Sequence, residues 1–350
     1  MRYLNWMLLP FSWLYGLIMD IRNHLYDSNI LKSFRFDVPI LVVGNLSVGG
    51  TGKTPMTEYI LRLLKKEYKV ATLSRGYKRK TSGFRIAGPL DNALTLGDEP
   101  IQIFHKFNPE VTVTVGEDRV YAIPFIMNDH PETEVIVLDD AYQHRRLKAS
   151  FQILITDYNR LFYQDWVLPA GFLRESRKNA SRADTIVVSK CPPSLPEGKK
   201  SHIIAKIHQY AGKGKPVYFT YIYYEEPVPF GGNKKQISDQ IILVTGISNP
   251  DPLTQYLETK YKVKKHFCYP DHHSFSSNDI DSLLSYFEQL DNDSHSILFT
   301  EKDLYRIINT DNEKKLNNYP IYFQPITYKF VEYGKEFDQM ILESIRQFTN

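Results

Sequence analysis

Short β-branched apolar runs alternate with helical periodicity along this chain, the arrangement expected of a parallel sheet with helices on both faces. The runs are PILVVG from Pro39, KVATLS from Lys69, VTVTV from Val111, EVIVLD from Glu134, FQILIT from Phe151 and DTIVVS from Asp184. Glycines, prolines and lysines crowd residues 192 to 216, where this block ends. A second α/β unit follows, with strands IILVTGI from Ile241, KKHFCYP from Lys264 and SILFT from Ser296. Two tyrosine-rich extended segments, PVYFTYIYY and YPIYFQPITYKFV, bracket that unit and are expected to pair as a connector. The pattern therefore predicts a first α/β domain over residues 31–215 and a smaller one over 231–318. Linker strands are expected over 216–230 and 319–331, with a final helix at 335–348 returning to the first domain.

Residues 1–30 depart from this rhythm. LNWMLLPFSWLYGLIM, from Leu4 to Met19, has no charge and lies between Arg2 and Arg22. A bilayer-spanning helix needs about 20 apolar residues, so the stretch is short, and Pro10 interrupts it. Its aromatics Trp6, Trp13 and Tyr15 suit an interfacial helix lying on a membrane. The same residues equally suit a helix packed on the protein's own core.

Composition narrows the field slightly. A 350-residue chain with 42% hydrophobic residues can form two packed domains. A formal charge of +3 is too mild to imply nucleic acid, and none is expected as a partner. Cys191 and Cys268 are too far apart in sequence to suggest a metal or redox pair.

The chemistry concentrates in NLSVGGTGKTP, residues 45 to 55. A phosphate-binding loop is spaced G-x-x-x-x-G-K-[ST], and here Ser47 stands at the first glycine. Gly49, Gly50 and Gly52 still supply the inner bend, so the serine is tolerable. Ser47, Val48, Gly49, Gly50, Thr51, Gly52, Lys53 and Thr54 are the expected nucleotide-binding residues, with Pro55 in the first helical turn. Lys53 is placed to reach the β- and γ-phosphates and Thr54 to bind Mg²⁺. Asp139 and Asp140, after the strand VIVL, are candidate metal carboxylates, although paired aspartates also suit a turn. In VVSKCP, Pro192 occupies the place of a guanine-reading aspartate, so ATP is expected over GTP.

Taken in order, VGNLSVGGTGKTP, SRGY, GDEP, DDAYQH, LPAGFLRE and YPDHHSF resemble the tetraacyldisaccharide 4'-kinase family over about residues 1 to 305. The resemblance implies a P-loop α/β domain plus a smaller α/β domain joined by a two-stranded linker. It also implies transfer of the ATP γ-phosphate to the 4'-hydroxyl of a tetraacyldisaccharide 1-phosphate, the lipid A precursor. It points to Asp98 of GDEP as base, assisted by His272, with Asp271 orienting the imidazole. By sequence alone, Asp98 reads as a helix N-cap in preference to a base, since Pro100 and an apolar run follow it. With Asp98 in the first domain and His272 in the second, assembling both at the γ-phosphate is expected to require the domains to close on substrate. Glu99 is a further metal candidate. Arg75, Arg119, Gln143, His144, Arg174 and Glu175 are candidates for substrate contacts, and Lys78, Arg79 and Lys80 extend the basic run beside Arg75. Ala141, Tyr142, Lys78, Phe172 and Ser176 depart from the family's usual residues without removing an ionisable group. The expected setting is peripheral, on inner-membrane lipids at the cytoplasmic face, as a monomer. The alternative is a P-loop ATPase switch of the partitioning or transport type. Such proteins carry a signature lysine where Val48 stands.

Overall fold

The computed structural model describes residues 2–231, 236–290 and 294–349, with the side chains of residues 2–6 and 349 outside that description. The chain forms two compact units: Met1–Arg75 with Pro109–Tyr223 and Tyr328–Asn350, and Gly76–Asn108 with Tyr224–Thr327.

In the first unit, parallel strands lie in the order Val217–Tyr224, Thr185–Ser189, Phe151–Asp157, Ile40–Asn45, Val135–Asp139, Val70–Ser74 and Val111–Val115. Strand Ile326–Phe330 is hydrogen-bonded beyond Val217–Tyr224. Ile40–Asn45 is buried at every position, as a strand covered on both faces must be. Helix Lys53–Leu64 presses Met56, Ile60, Leu61 and Leu64 into the core. The closing helix, Gly334–Thr349, buries Phe337, Ile341 and Ile345 in the same unit. Phe337 meets the Tyr59 ring edge-on, and the Tyr59 hydroxyl donates to Asp338.

The second unit has the strand order Lys262–Cys268, Gln240–Thr245, His295–Thr300, Ile321–Gln324, Val228–Pro229, parallel except for the last. Ile242, Val244 and Phe299 pack one face against Leu283 and Phe287 of helix Ser277–Glu288. Ile241, Leu243 and Leu298 pack the other against Leu253 and Leu257 of helix Asp251–Glu258.

Three features differ from the sequence reading. First, Gly76–Asn108, expected in the first domain, belongs to the second unit. Helix Asp98–Phe107 is tied to helix Glu301–Tyr305 by Lys106–Glu301 and Lys302–Glu99 ion pairs, which periodicity along one segment does not reveal. Second, the segment around residue 320 is two strands, because Pro325 separates Ile321–Gln324 from Ile326–Phe330. Third, Pro10 does not break the N-terminal helix, which runs as Arg2–Asp27. The side chain of Trp6 lies outside the described residues.

That helix has an unusual polarity. Ser12, Asn23 and Tyr26 are buried, while Met7, Phe11, Trp13, Leu14, Leu17, Ile18 and Ile21 are exposed. Its inward face is held by polar bonds: Ala170 N–H to Ser12 Oγ at 2.8 Å, Asn23 Nδ2 to Glu175 at 2.8 Å, and Tyr15 Oη to the Arg174 carbonyl at 3.1 Å. Among the described residues, no helix is long and apolar enough to cross a membrane.

Candidate active site

The phosphate loop leaves strand Ile40–Asn45 and enters helix Lys53–Leu64 through two left-handed glycines, Gly49 at φ 95° and Gly52 at φ 86°. Gly52 is required twice over, because a Cβ there would lie 1.7 Å from the Tyr328 hydroxyl oxygen. Ser47 is buried and bridges to Leu173, and the Val48 amide donates to the Phe172 carbonyl at 2.8 Å. The first position of the loop is thus an extended, paired residue with no demand for glycine. Asn45 Nδ2 donates to Thr51 Oγ1 at 2.7 Å, fixing the bend from within.

Several side chains that brace the loop were not predicted. Lys190 Nζ donates to the Gly50 carbonyl and pairs with Asp157 at 2.7 Å. Ser189 Oγ donates to the Thr51 carbonyl at 2.7 Å, and Arg160 Nη2 to the Val48 carbonyl at 3.0 Å. In the sequence Ser189 and Lys190 show only as the SK pair after DTIVV, and Arg160 carries no local signal.

Beyond the loop, Asp140 is left-handed at φ 49° and collects cations. Lys53 Nζ stands 3.6 Å from it, and Arg174 grips both its oxygens at 2.9 and 3.1 Å. Burial alone would raise the Asp140 pKa, but Lys53 and Arg174 outweigh it and hold the carboxyl below its usual value. Asp139 is buried and accepts from Thr57 Oγ1 at 3.1 Å. Thr54 occupies the first turn of the same helix. Among the described residues no cluster of three His, Cys, Asp or Glu could hold a metal by itself. Two carboxylates and a hydroxyl are nevertheless a fitting oxygen set for Mg²⁺, which commonly completes its shell with phosphate oxygens and water. Glu99 lies in the second unit, where its carboxylate pairs with Lys302 at 2.8 Å.

The candidate substrate contacts divide. Arg174 and Gln143 are partly exposed, and Gln143 Nε2 bridges the Asn45 carbonyl and Glu175 at 2.8 and 3.0 Å. Arg75 is exposed just past strand Val70–Ser74. His144 is partly exposed, and burial together with the Arg119 charge pushes its pKa down to about 4, so its ring is neutral at pH 7. Two expectations are corrected. Glu175 is 0% exposed and accepts from Asn23, Gln143 and Arg182, which makes it an interior anchor for the N-terminal helix. Arg119 is 3% exposed and spends Nη1 on the Gly116 and Glu117 carbonyls. Burial lowers its pKa to about 10, which leaves it charged at pH 7, and it acts on Asp140 as a field rather than on substrate as a clamp.

The second unit holds the other constellation. Asp98 opens helix Asp98–Phe107, but its carboxylate caps nothing. It accepts on Oδ2 from His272 Nδ1 at 2.7 Å and from Arg306 Nε at 2.8 Å. Burial would raise its pKa, but the His272 hydrogen bond and the charges of Arg306 and Lys302 lower it to about 2. The N-cap alternative is therefore excluded. Gly97, at φ 96°, allows the turn, because a Cβ there would meet the Tyr77 carbonyl at 2.9 Å. Both partners lie in one unit, so the Asp98–His272 pair needs no domain closure. Asp271 sits 3.9 Å from His272 Nε2, beyond hydrogen-bond range, so Asp98 is the group that orients the imidazole. His273 stacks on Tyr269 and bonds Asp279 at 3.0 Å, a packing role.

The family model described as tetraacyldisaccharide-1-P 4'-kinase matches residues 4–346. A tetraacyldisaccharide 4'-kinase of Flavobacterium johnsoniae is 43% identical over 352 residues, covering 99% of each chain. One from Phocaeicola vulgatus is 39% identical, covering 98% of this chain and 96% of its own. Among solved structures, LpxK from Aquifex aeolicus in complex with ATP matches with a TM-score of 0.73 at 29% identity, covering 98% of this chain and 99% of that one. A match of this extent takes in both the phosphate loop and the Asp98–His272 unit: the chain belongs to the tetraacyldisaccharide 4'-kinase family.

Proposed function

We infer that the chain is an ATP-dependent, Mg²⁺-using kinase of lipid A biosynthesis, transferring the γ-phosphoryl group to the 4'-hydroxyl of tetraacyldisaccharide 1-phosphate. The observation that carries this is the family match over residues 4–346, which leaves no room for the switch-ATPase alternative. Backbone groups of the loop from Gly49 to Thr54 receive phosphate oxygens at the positive end of a helix, and Lys53 meets the transferring group. Mg²⁺, held by Thr54, Asp139 and Asp140, would neutralise charge on the β- and γ-phosphate oxygens. Asp98 takes the proton of the 4'-hydroxyl as its oxygen attacks the γ-phosphorus, the bond from that phosphorus to the β–γ bridging oxygen breaks and ADP leaves, while His272 fixes the carboxylate's direction. Purified protein incubated with Mg-ATP and the disaccharide 1-phosphate should yield, by mass spectrometry, a product with one added phosphate at the 4' position. ATP turnover independent of that acceptor would refute the assignment.

The acceptor is a lipid, and the inside-out N-terminal helix answers that need. We propose that its exposed stripe of Met7, Phe11, Leu14, Ile18 and Ile21 sinks into the cytoplasmic leaflet of the inner membrane, where ATP is available. Full burial of such a side chain contributes about 1.5–3 kcal/mol, so half-burying these residues supplies roughly 4–8 kcal/mol. Truncating the helix would also remove its bonds to Arg174, Ala170 and Glu175, so point substitutions give the cleaner test. Leu14→Glu with Ile18→Glu should cut co-sedimentation with anionic vesicles by tenfold or more, on the order of a charged residue's insertion cost, and leave ATP affinity unchanged. Full co-sedimentation of the double variant would place membrane contact elsewhere.

A further inference from the structure

We propose that Arg306, anchored by Asp303, is a positioning residue that aims the Asp98 carboxylate at the acceptor hydroxyl. This rests on the reading of Asp98 as the base. Arg306 is the residue just past the short helix Glu301–Tyr305 and is 8% exposed overall, with its side chain at 4%. Its guanidinium is held at two nitrogens: Nε donates to Asp98 Oδ2 at 2.8 Å, and Nη1 to the Gly246 carbonyl at 2.9 Å and to Asp303 Oδ1. Asp303, 0% exposed, is itself pinned by the Gly246 amide at 2.7 Å and by Thr300 Oγ1. The same Gly246 carbonyl receives the backbone amide of His272 at 3.2 Å, and His272 is left-handed at φ 60°. One buried hub thus locates both members of the dyad, Asp98 by its carboxylate and His272 by its backbone. Gly246 has no alternative here, since a Cβ would stand 2.9 Å from Asp303 Oδ1 and 3.3 Å from Arg306 Nη1.

The consequence is directional. His272 and Arg306 both donate to Oδ2, so the carboxylate cannot spin about its Cβ–Cγ bond without breaking two charge-assisted bonds. Oδ1 is the oxygen left to accept the proton. A reacting group displaced by about 1 Å loses on the order of a hundredfold in rate, which sets the scale of what this anchoring supplies. Arginine suits the task because its planar fork serves Asp98, Asp303 and the Gly246 carbonyl at once, whereas an ammonium is a single point charge.

The test is steady-state kinetics of Arg306→Gln and Arg306→Lys, each alone and with Asp98→Asn, with thermal unfolding as the control for folding. Arg306→Gln should lower kcat about a hundredfold with KM for ATP and acceptor nearly unchanged, and Arg306→Lys should fall between it and the parent. In the Asp98→Asn background the Arg306 substitution should cost less than about threefold, because its target is gone. If Arg306→Gln does not fold, Arg306→Lys, which keeps the buried charge facing Asp303, carries the same comparison. Parent-level kcat in a folded variant, a change confined to KM, or losses that multiply with Asp98→Asn would each overturn the inference. Near-parent activity of Asp98→Asn alone would instead overturn the base assignment beneath it.

Discussion

Lys53→Ala is expected to lower kcat/KM for ATP by about 10²–10³-fold, the scale seen when one donor to developing charge is removed, while the protein stays folded. Lys53 is the first residue of helix Lys53–Leu64, where alanine is a good helix former. Its loss does not strand a buried charge, because Arg174 still holds both oxygens of Asp140. The deficit should therefore appear in chemistry and phosphate binding rather than in stability. Single-turnover transfer, calorimetric ATP titration and thermal unfolding on the same preparation separate the two. Near-parental turnover in the folded variant would remove Lys53 from the transferring phosphate.

The second large effect concerns the dyad. General-base contributions run to about 10²–10⁴-fold, and Asp98→Asn should cost within that range. His272→Ala should cost nearly as much, because it releases one of the two donors that direct the Asp98 carboxylate. The double variant should then be only slightly slower than the worse single one, the signature of groups acting as a unit. Fully multiplicative losses would mean independent roles. A carboxyl lowered to about 2 remains ionised throughout the neutral range, so an acidic limb in the pH profile above pH 5 would belong to another group. Such a carboxylate is a weak base. In a loose phosphoryl-transfer transition state the nucleophile forms little bond early, so orientation of the accepting oxygen counts for more than its basicity.

The phosphate loop, its flanking strand and helix, and the sheet of the first unit were legible in the residue order. Each is written in a short window: apolar runs of strand length, a glycine where φ must be positive, and Lys-Thr at a helix start. The family motifs likewise named Asp98 and His272 without showing what joins them. That bond spans 174 positions, and the Arg306–Asp98 bond spans 208. No local period encodes such partners, because they meet only after the strands have stacked and helix Asp98–Phe107 has settled against Glu301–Tyr305. The same limit applies to Glu175 and Arg119, whose charges suggested substrate but whose burial gave them interior partners. It applies as well to the first helix. Its apolar letters were plain in the sequence, but which side faces outward was decided by Asn23, Ser12 and Tyr15 finding hydrogen-bond partners in the body of the first unit. Buried polar groups must be paired, and only the assembled core determines where that pairing is possible.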